Sequence, residues 1–223
     1  MSDATRELLE IIRRPGALDD DLRRRLAEAL TAPRWMAYEE FLAWADEDTH
    51  AEWVKGEVIM TSPASGRHQD ISDFLTSVLR SFVEAHHLGI FRSAPFQMRL
   101  EYSGREPDLI FVAAENLARL KETHLDGPAD LVIEITSPES DTRDRGEKFT
   151  EYEQAGIPEY WLIDPEREQA VFYQRDEAGR YRSILPDENG IYHSKALPGF
   201  WLRESWFWKI PPVLDTLREL GLV

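Results

Sequence analysis

Hydrophobic and polar positions change period along this chain, and each change marks an element. From His68 to His87, the residues Ile71, Phe74, Leu75, Val78, Leu79, Phe82 and Val83 recur at steps of three and four. That spacing predicts an amphipathic helix whose apolar stripe packs on a sheet. Short β-branched and aromatic runs follow at Ile90 to Leu100, Pro107 to Val112, Leu131 to Thr136 and Pro158 to Asp164. Bounded by Pro, Gly or Ser, they predict strands. Alternation on either side of Lys55-Gly56 predicts a hairpin, and Ala170 to Gln174 with Tyr181 to Leu185 predicts another across Asp176 to Gly179. Met36 to Asp48 has a helical pattern that turns Phe41 and Leu42 inward, and a polar, helical connection is expected around Asn116 to Lys121. Asp144 with Glu147 three residues later resembles a capping box, opening a helix that Gly156 and Pro158 close. The fold class is α/β (α+β), a central mixed β-sheet flanked by helices.

Ahead of this pattern, Leu8, Leu9 and Ile12, then Leu22, Leu26 and Leu30, stand at helical spacing on either side of Pro15-Gly16. Residues 1–33 are therefore expected to form an N-terminal helical extension, with Pro33 marking the boundary to a main domain over 34–223. Arg13, Arg14, Arg23, Arg24 and Arg25 fit a solvated helix face better than a nucleic-acid contact. At the other end Trp201, Trp206, Phe207 and Trp208 can cover an edge of the core or make a partner surface, and core cover is the expectation.

Composition narrows the partners. With 223 residues and 42% hydrophobic positions the chain can bury a sizeable core. It has no cysteine, so disulfides and thiolate metal sites are excluded, in keeping with a reducing compartment. No apolar run approaches the roughly 18 residues of a membrane span, and the polar first residues are no signal peptide. A soluble, cytoplasmic protein without a membrane partner is expected. Its 26 basic and 42 acidic residues leave a net charge of −16, the wrong sign for non-specific adhesion to nucleic acid. Any phosphate-bearing ligand then needs a local basic patch or a metal.

The candidate chemistry lies between Glu106 and Trp161, where Asp108 and Glu134 each sit in an apolar strand run. Burying a carboxylate is costly unless a cation, a donor network or open water meets it. A divalent metal shared by the two is one solution; amides around Asp108, and a Lys148 pair with Glu134 or Glu151, are another. The chain contains no G-x-S-x-G, P-loop, H-E-x-x-H or G-x-G-x-x-G pattern. A glycosidase would need its two carboxylates in opposed environments across a cleft, which nothing supplies.

The order Glu52, Asp108 after Pro107, Glu134 in the next strand and Lys148 beyond it resembles the PD-(D/E)XK nuclease superfamily. More narrowly, GEVIMTSPASGRHQ, PDLIFV, VIEITSPES and RDRGEKFTEYEQAGIPEYWLID are similar to the Uma-two family of restriction-endonuclease-like bacterial proteins, over about Met36 to Phe207. The resemblance implies a restriction-endonuclease-like core with a divalent metal, usually magnesium, at one end of the sheet. Asp108 matches the motif aspartate and Glu134 the motif glutamate. The superfamily lysine two residues after the glutamate is replaced by Thr136, and Lys148 on the following helix matches in its stead. Glu52 matches the upstream glutamate.

Phosphodiester hydrolysis accounts for those residue types. Magnesium or manganese held by Asp108, Glu134 and the Ile135 carbonyl can activate water and stabilise phosphoryl charge. Lys148 would orient the water or neutralise the phosphorane, and Glu52 would accept a proton or hold a second metal. His68, Arg145 and Tyr152 are candidate substrate contacts, each with a structural competitor: a surface histidine at a helix start, acidic partners for the arginine, and core packing for the tyrosine. The leading expectation is a magnesium-dependent DNA endonuclease, a homodimer by analogy because cutting a duplex needs two sites. The alternative is a non-catalytic interaction or assembly protein that retains the nuclease fold.

Overall fold

A computed structural model describes residues 35–45, 49–61 and 63–223, so the expected N-terminal helices, their arginines and the boundary at Pro33 lie outside the described residues. Contacts divide the chain into two units, Met1–Thr61 and Ser62–Val223. In the first, helix α1 (Tyr38–Trp44) is shorter than the pattern from Met36 to Asp48. The Glu40 carboxylate accepts the Ala37 amide at 2.8 Å and so starts it. Tyr38 and Phe41 are buried with Ala51, and Leu42 packs against them half-buried. Strands β1 (Ala51–Val54) and β2 (Glu57–Met60) form the expected hairpin, Val54 opposite Glu57. Its turn holds Lys55 at φ 50° and Gly56 at φ 94°, the paired positive angles of a two-residue turn that matches strand twist.

The second unit opens on α2 (Gly66–Ala85), whose N-cap Ser65 accepts the His68 amide and whose seven stripe residues are all buried. The strand expected from Ile90 to Leu100 is two strands, β3 (Gly89–Ser93) and β4 (Gln97–Arg99). Pro95 breaks it, because proline offers no N–H to a ladder. Strand β5 (Ser103–Arg105), β6 (Leu109–Ala113), a 3₁₀ turn (Ala114–Arg119), β7 (His124–Asp126) and β8 (Leu131–Ile135) follow. The next helix begins at Asp141, three residues before the expected cap. It runs as α3 (Asp141–Arg143), a π-helical segment (Asp144–Lys148) and α4 (Phe149–Ala155). Gly156, at φ 84°, ends it as expected. Strands β9 (Glu159–Asp164), β10 (Gln169–Arg175), β11 (Tyr181–Ile184), β12 (Ile191–His193) and β13 (Trp201–Arg203) precede a 3₁₀ turn (Glu204–Phe207) and α5 (Val213–Glu219).

A six-stranded sheet runs β11-β10-β9-β8-β6-β3 and is mixed, since β8 and β9 pair in parallel while their other neighbours are antiparallel. Side chains alternate between its faces. Leu109, Phe111, Leu131, Ile133, Trp161 and Ile163 join the α2 stripe in one core, closed by Trp206 and Phe207 with Trp201 and Trp208 against them. The aromatic tail is core cover, as expected. Ile110, Val112, Val132, Tyr160 and Leu162 face the other way, toward Tyr152 of α4, Met98 of β4 and Leu125 of β7. No helix among the described residues is long and apolar enough to cross a membrane.

One glycine is required by close approach. Gly89, at φ 150° opposite Ala113, leaves a place where a Cβ would stand 2.1 Å from the Val112 carbonyl oxygen. Gly89→Ala must push β3 off β6, and we expect a stability loss of about 3 kcal/mol. Chemical denaturation would show it as a lower midpoint at unchanged slope.

Candidate active site

The β6–β8 register brings the two strand carboxylates together. Leu109 stands opposite Ile133 and Ile110 opposite Val132. One step further along places Asp108 across from Glu134, both on the face of Ile110 and Val132. Residues directly opposed in this way have Cβ atoms about 5 Å apart, so two negative charges there must be met by donors or cations. The fold supplies both. Asp108 Oδ2 accepts the Ile135 amide at 2.7 Å, and its Oδ1 lies 2.9 Å from His68 Nε2, in the first turn of α2. Glu134 Oε1 accepts from Lys148 Nζ at 3.0 Å and from the Tyr152 hydroxyl at 2.7 Å.

The helix after β8 aims these donors through its irregularity. A π-helical turn inserts extra backbone into an α-helix, and such bulges cluster at functional sites. Here Lys148 ends the π segment and Tyr152 lies four residues on, where one helix face carries both to Glu134. The same ammonium lies 3.3 Å from Asp144 Oδ1. Asp144 does not cap the helix, contrary to the expected capping box. Its backbone is helical, φ −66° and ψ −40°, and it is 1% exposed. Because the helix starts at Asp141, Asp144 falls inside it and turns toward the sheet. Its carbonyl accepts the Tyr160 hydroxyl at 3.1 Å. Burial, then the charges of Glu134 and Asp144, raise the Tyr160 pKa well above its ordinary value, which keeps that hydroxyl a donor.

Exposure differs across the site. Glu134, Lys148 and Tyr152 are buried, with 4%, 5% and 0% exposed, whereas the side chains of Asp108 and His68 keep 20% and 15% exposed. Solvent therefore meets the site at the Asp108–His68 edge. Burial works against a charged His68, but the hydrogen bond it donates to Asp108 and the charges of Asp108 and Asp144 outweigh it and raise its pKa.

Of the residues singled out from sequence, Asp108, Glu134, Ile135, Lys148, Tyr152 and His68 come together. Arg145 is directed elsewhere: it donates to Asp164 at the end of β9, at 2.8 Å, and to Asp141. Burial opposes ionisation of Asp164, but the Arg167 amide and the guanidinium groups of Arg167 and Arg145 hold its pKa below the usual carboxylate range. Asp108 just before β6, Glu134 in β8 and Asp164 in β9 are thus each met by a basic group from a helical segment. Glu52 belongs to the other unit, in β1 opposite Ile59, and is 1% exposed. The residue missed was Asp144 as a partner of Lys148. Its signal was the four-residue spacing, the same that links Lys148 to Tyr152.

The donor set fits a hard divalent cation. The N–H and C=O of one strand residue point to the same side, so the Ile135 carbonyl opens toward the Asp108 side that its amide already faces. Two carboxylates and a carbonyl are oxygen ligands of the kind magnesium and manganese take. Among the described residues no group of three or more His, Asp or Glu side chains could hold a metal. A cation here must draw on the carbonyl and on water, and magnesium characteristically keeps several waters beside one or two carboxylates. A separate cleft of about 450 Å³, lined by residues including Arg99, Tyr102, Asp126 and Glu151, contains none of these groups.

Residues 38–205 match the model of the Uma2 family, described as "Putative restriction endonuclease". A solved structure described as "a putative nuclease belonging to DUF820", from Anabaena variabilis, aligns with a TM-score of 0.65 at 18% identity, covering 78% of this chain and 98% of that one. At that identity the likeness shows the fold, which is restriction-endonuclease-like as expected. Among curated proteins, none matches.

Proposed function

The chain belongs to the Uma2 family, the restriction-endonuclease-like group whose model spans residues 38–205, and from that premise we propose that it is a magnesium- or manganese-dependent endonuclease acting on DNA. The observation that carries the proposal is the placement of Asp108 opposite Glu134 on one sheet face, with the Lys148 ammonium 3.0 Å from Glu134. Asp108, Glu134 and the Ile135 carbonyl would hold the metal. When bound, it would supply positive charge to the phosphoryl oxygens and a water of lowered pKa. Lys148 orients the attacking water or offsets charge on the phosphorane. Tyr152, buried and bonded to Glu134, acts through that carboxylate rather than on substrate. His68 stands at the solvent-facing edge and would meet a phosphate beside Asp108. The part of Glu52 as an auxiliary acid rests on the sequence resemblance. Cutting both strands of a duplex calls for two such sites, hence a homodimer.

Substrate binding by a chain of net charge −16 needs a local cation. Arg92 in β3 pairs with Ile110 and so shares the face of Asp108, diagonal to it across the strands. Its guanidinium donates to the Phe91 carbonyl at 3.2 Å, and it forms no ion pair among the described residues. Arg92→Ala should weaken binding equally across DNA sequences and lower the slope of log K against log salt by about one. Fluorescence anisotropy of labelled duplex over a salt series, without metal, checks this.

The test of the proposal is nicking of supercoiled plasmid with magnesium or manganese, in wild type and Asp108→Asn. Nicking that survives the substitution rejects the site. The net charge of −16 and the near closure of the Glu134–Lys148 pair favour a second reading, a non-catalytic assembly protein that retains the fold. Absence of both nicking and metal binding in the wild type would select it.

A further inference from the structure

Lys148 lies against Glu134 and Asp144, and these two carboxylates are unequal in what they leave for chemistry. Its ammonium lies 3.0 Å from Glu134 Oε1 and 3.3 Å from Asp144 Oδ1. Under the nuclease reading Glu134 is committed to the cation, and a carboxylate drawn to a metal has less to offer a lysine. Lysine is a point charge on a flexible four-carbon stem, so a single contact fixes it poorly. Asp144 is outside the proposed ligand set, 1% exposed, and anchored from behind where its carbonyl accepts the Tyr160 hydroxyl. Among the described residues its Oδ1 accepts no hydrogen bond, and the Lys148 ammonium lies 3.3 Å from it. A buried carboxylate oxygen with nothing else to accept is costly unless that charge pairs with it.

We infer that Asp144 is the positioning residue that keeps Lys148 beside the reacting phosphate independently of Glu134, through the Asp144–Lys148 contact across the π-helical turn. This rests on the nuclease reading for its catalytic consequence, though not for the contact itself. The contact spans the π segment: Asp144 opens it and Lys148 ends it four residues on, so both side chains leave the same irregular turn. Asp144 touches neither substrate nor metal and acts only by placing the ammonium.

The full chain is assayed as wild type, Asp144→Asn, Asp144→Glu and Glu134→Gln. In ¹⁵N-lysine-labelled protein without metal, the slowly exchanging ammonium signal of Lys148, assigned with Lys148→Met, should persist in Glu134→Gln and vanish in Asp144→Asn. With metal, Asp144→Asn should lower kcat for nicking by about tenfold to a hundredfold, the scale of a misplaced catalytic group, with KM unchanged. Asp144→Glu should recover part of that loss. Manganese affinity, read by electron paramagnetic resonance, should be the same in wild type and Asp144→Asn. A signal that survives Asp144→Asn, or is lost in Glu134→Gln, overturns the inference. So does a manganese affinity that falls tenfold or more, which would make Asp144 a ligand. Should Asp144→Asn fail to fold, the Glu134→Gln spectrum still decides. A wild type that shows the ammonium signal but never nicks DNA would refute the nuclease reading and leave the contact standing.

Discussion

Asp108→Asn is expected to lower metal-dependent plasmid nicking by about a thousandfold while leaving the protein folded. Asparagine keeps the size of the side chain, can still accept the Ile135 amide, and can donate toward His68 Nε2, so both contacts of Asp108 have a substitute. What it lacks is the negative charge that would hold a divalent cation opposite Glu134. A metal stabilises charge in phosphoryl transfer by several kcal/mol, and about 4 kcal/mol at about 1.4 per tenfold is the factor stated. The checks are single-turnover nicking rates against manganese concentration, with thermal unfolding as the control for folding. A rate within tenfold of wild type at saturating metal would remove Asp108 from the site.

The largest stability effect is expected at a residue with no part in the chemistry. Glu159, 0% exposed at the start of β9, accepts from Trp161 Nε1, the Tyr192 and Ser194 hydroxyls, and the Lys195 and Ala196 amides, at 2.6 to 3.1 Å. A carboxylate with five donors holds the segment after β12 onto the sheet, and every donor is stranded if it is cut away. Unsatisfied buried donors cost about 1–3 kcal/mol each, and relaxation recovers part of that. Glu159→Ala should therefore lose about 4 kcal/mol or more, a fall in Tm of about 10 °C for a unit of this size. Differential scanning calorimetry measures it directly. A loss below about 1 kcal/mol would mean the segment is held by its aromatic packing instead, with Phe172 stacked on Tyr192 at 3.8 Å between ring centroids.

Glu159 and Asp108 are both acids in apolar strand runs, and nothing adjacent to either distinguishes a structural anchor from a candidate ligand. The separation lies in their surroundings. Glu159 is enclosed by donors from a later segment, whereas Asp108 keeps 20% of its side chain open beside a second carboxylate. Asp144 makes the same point in reverse. Its spacing to Glu147 matched a surface cap, yet the helix had already begun at Asp141, and the side chain turned inward to Lys148.

The amino-acid order alone determined whatever depends on a few neighbouring residues: the α2 stripe, the Lys55-Gly56 turn, the stop at Gly156, the strand that begins just after Asp108 and the strand that carries Glu134. Such features follow from backbone dihedrals and side-chain period, which act over one or two turns of chain. Tertiary structure decided how each buried charge is met. Asp108 is bonded by residues 40 and 27 positions away, and Lys148 reaches a glutamate 14 positions back. A carboxylate must find a partner when it leaves water, but Coulomb attraction and hydrogen bonding are indifferent to separation along the chain, so only the folded sheet could say which partner it found.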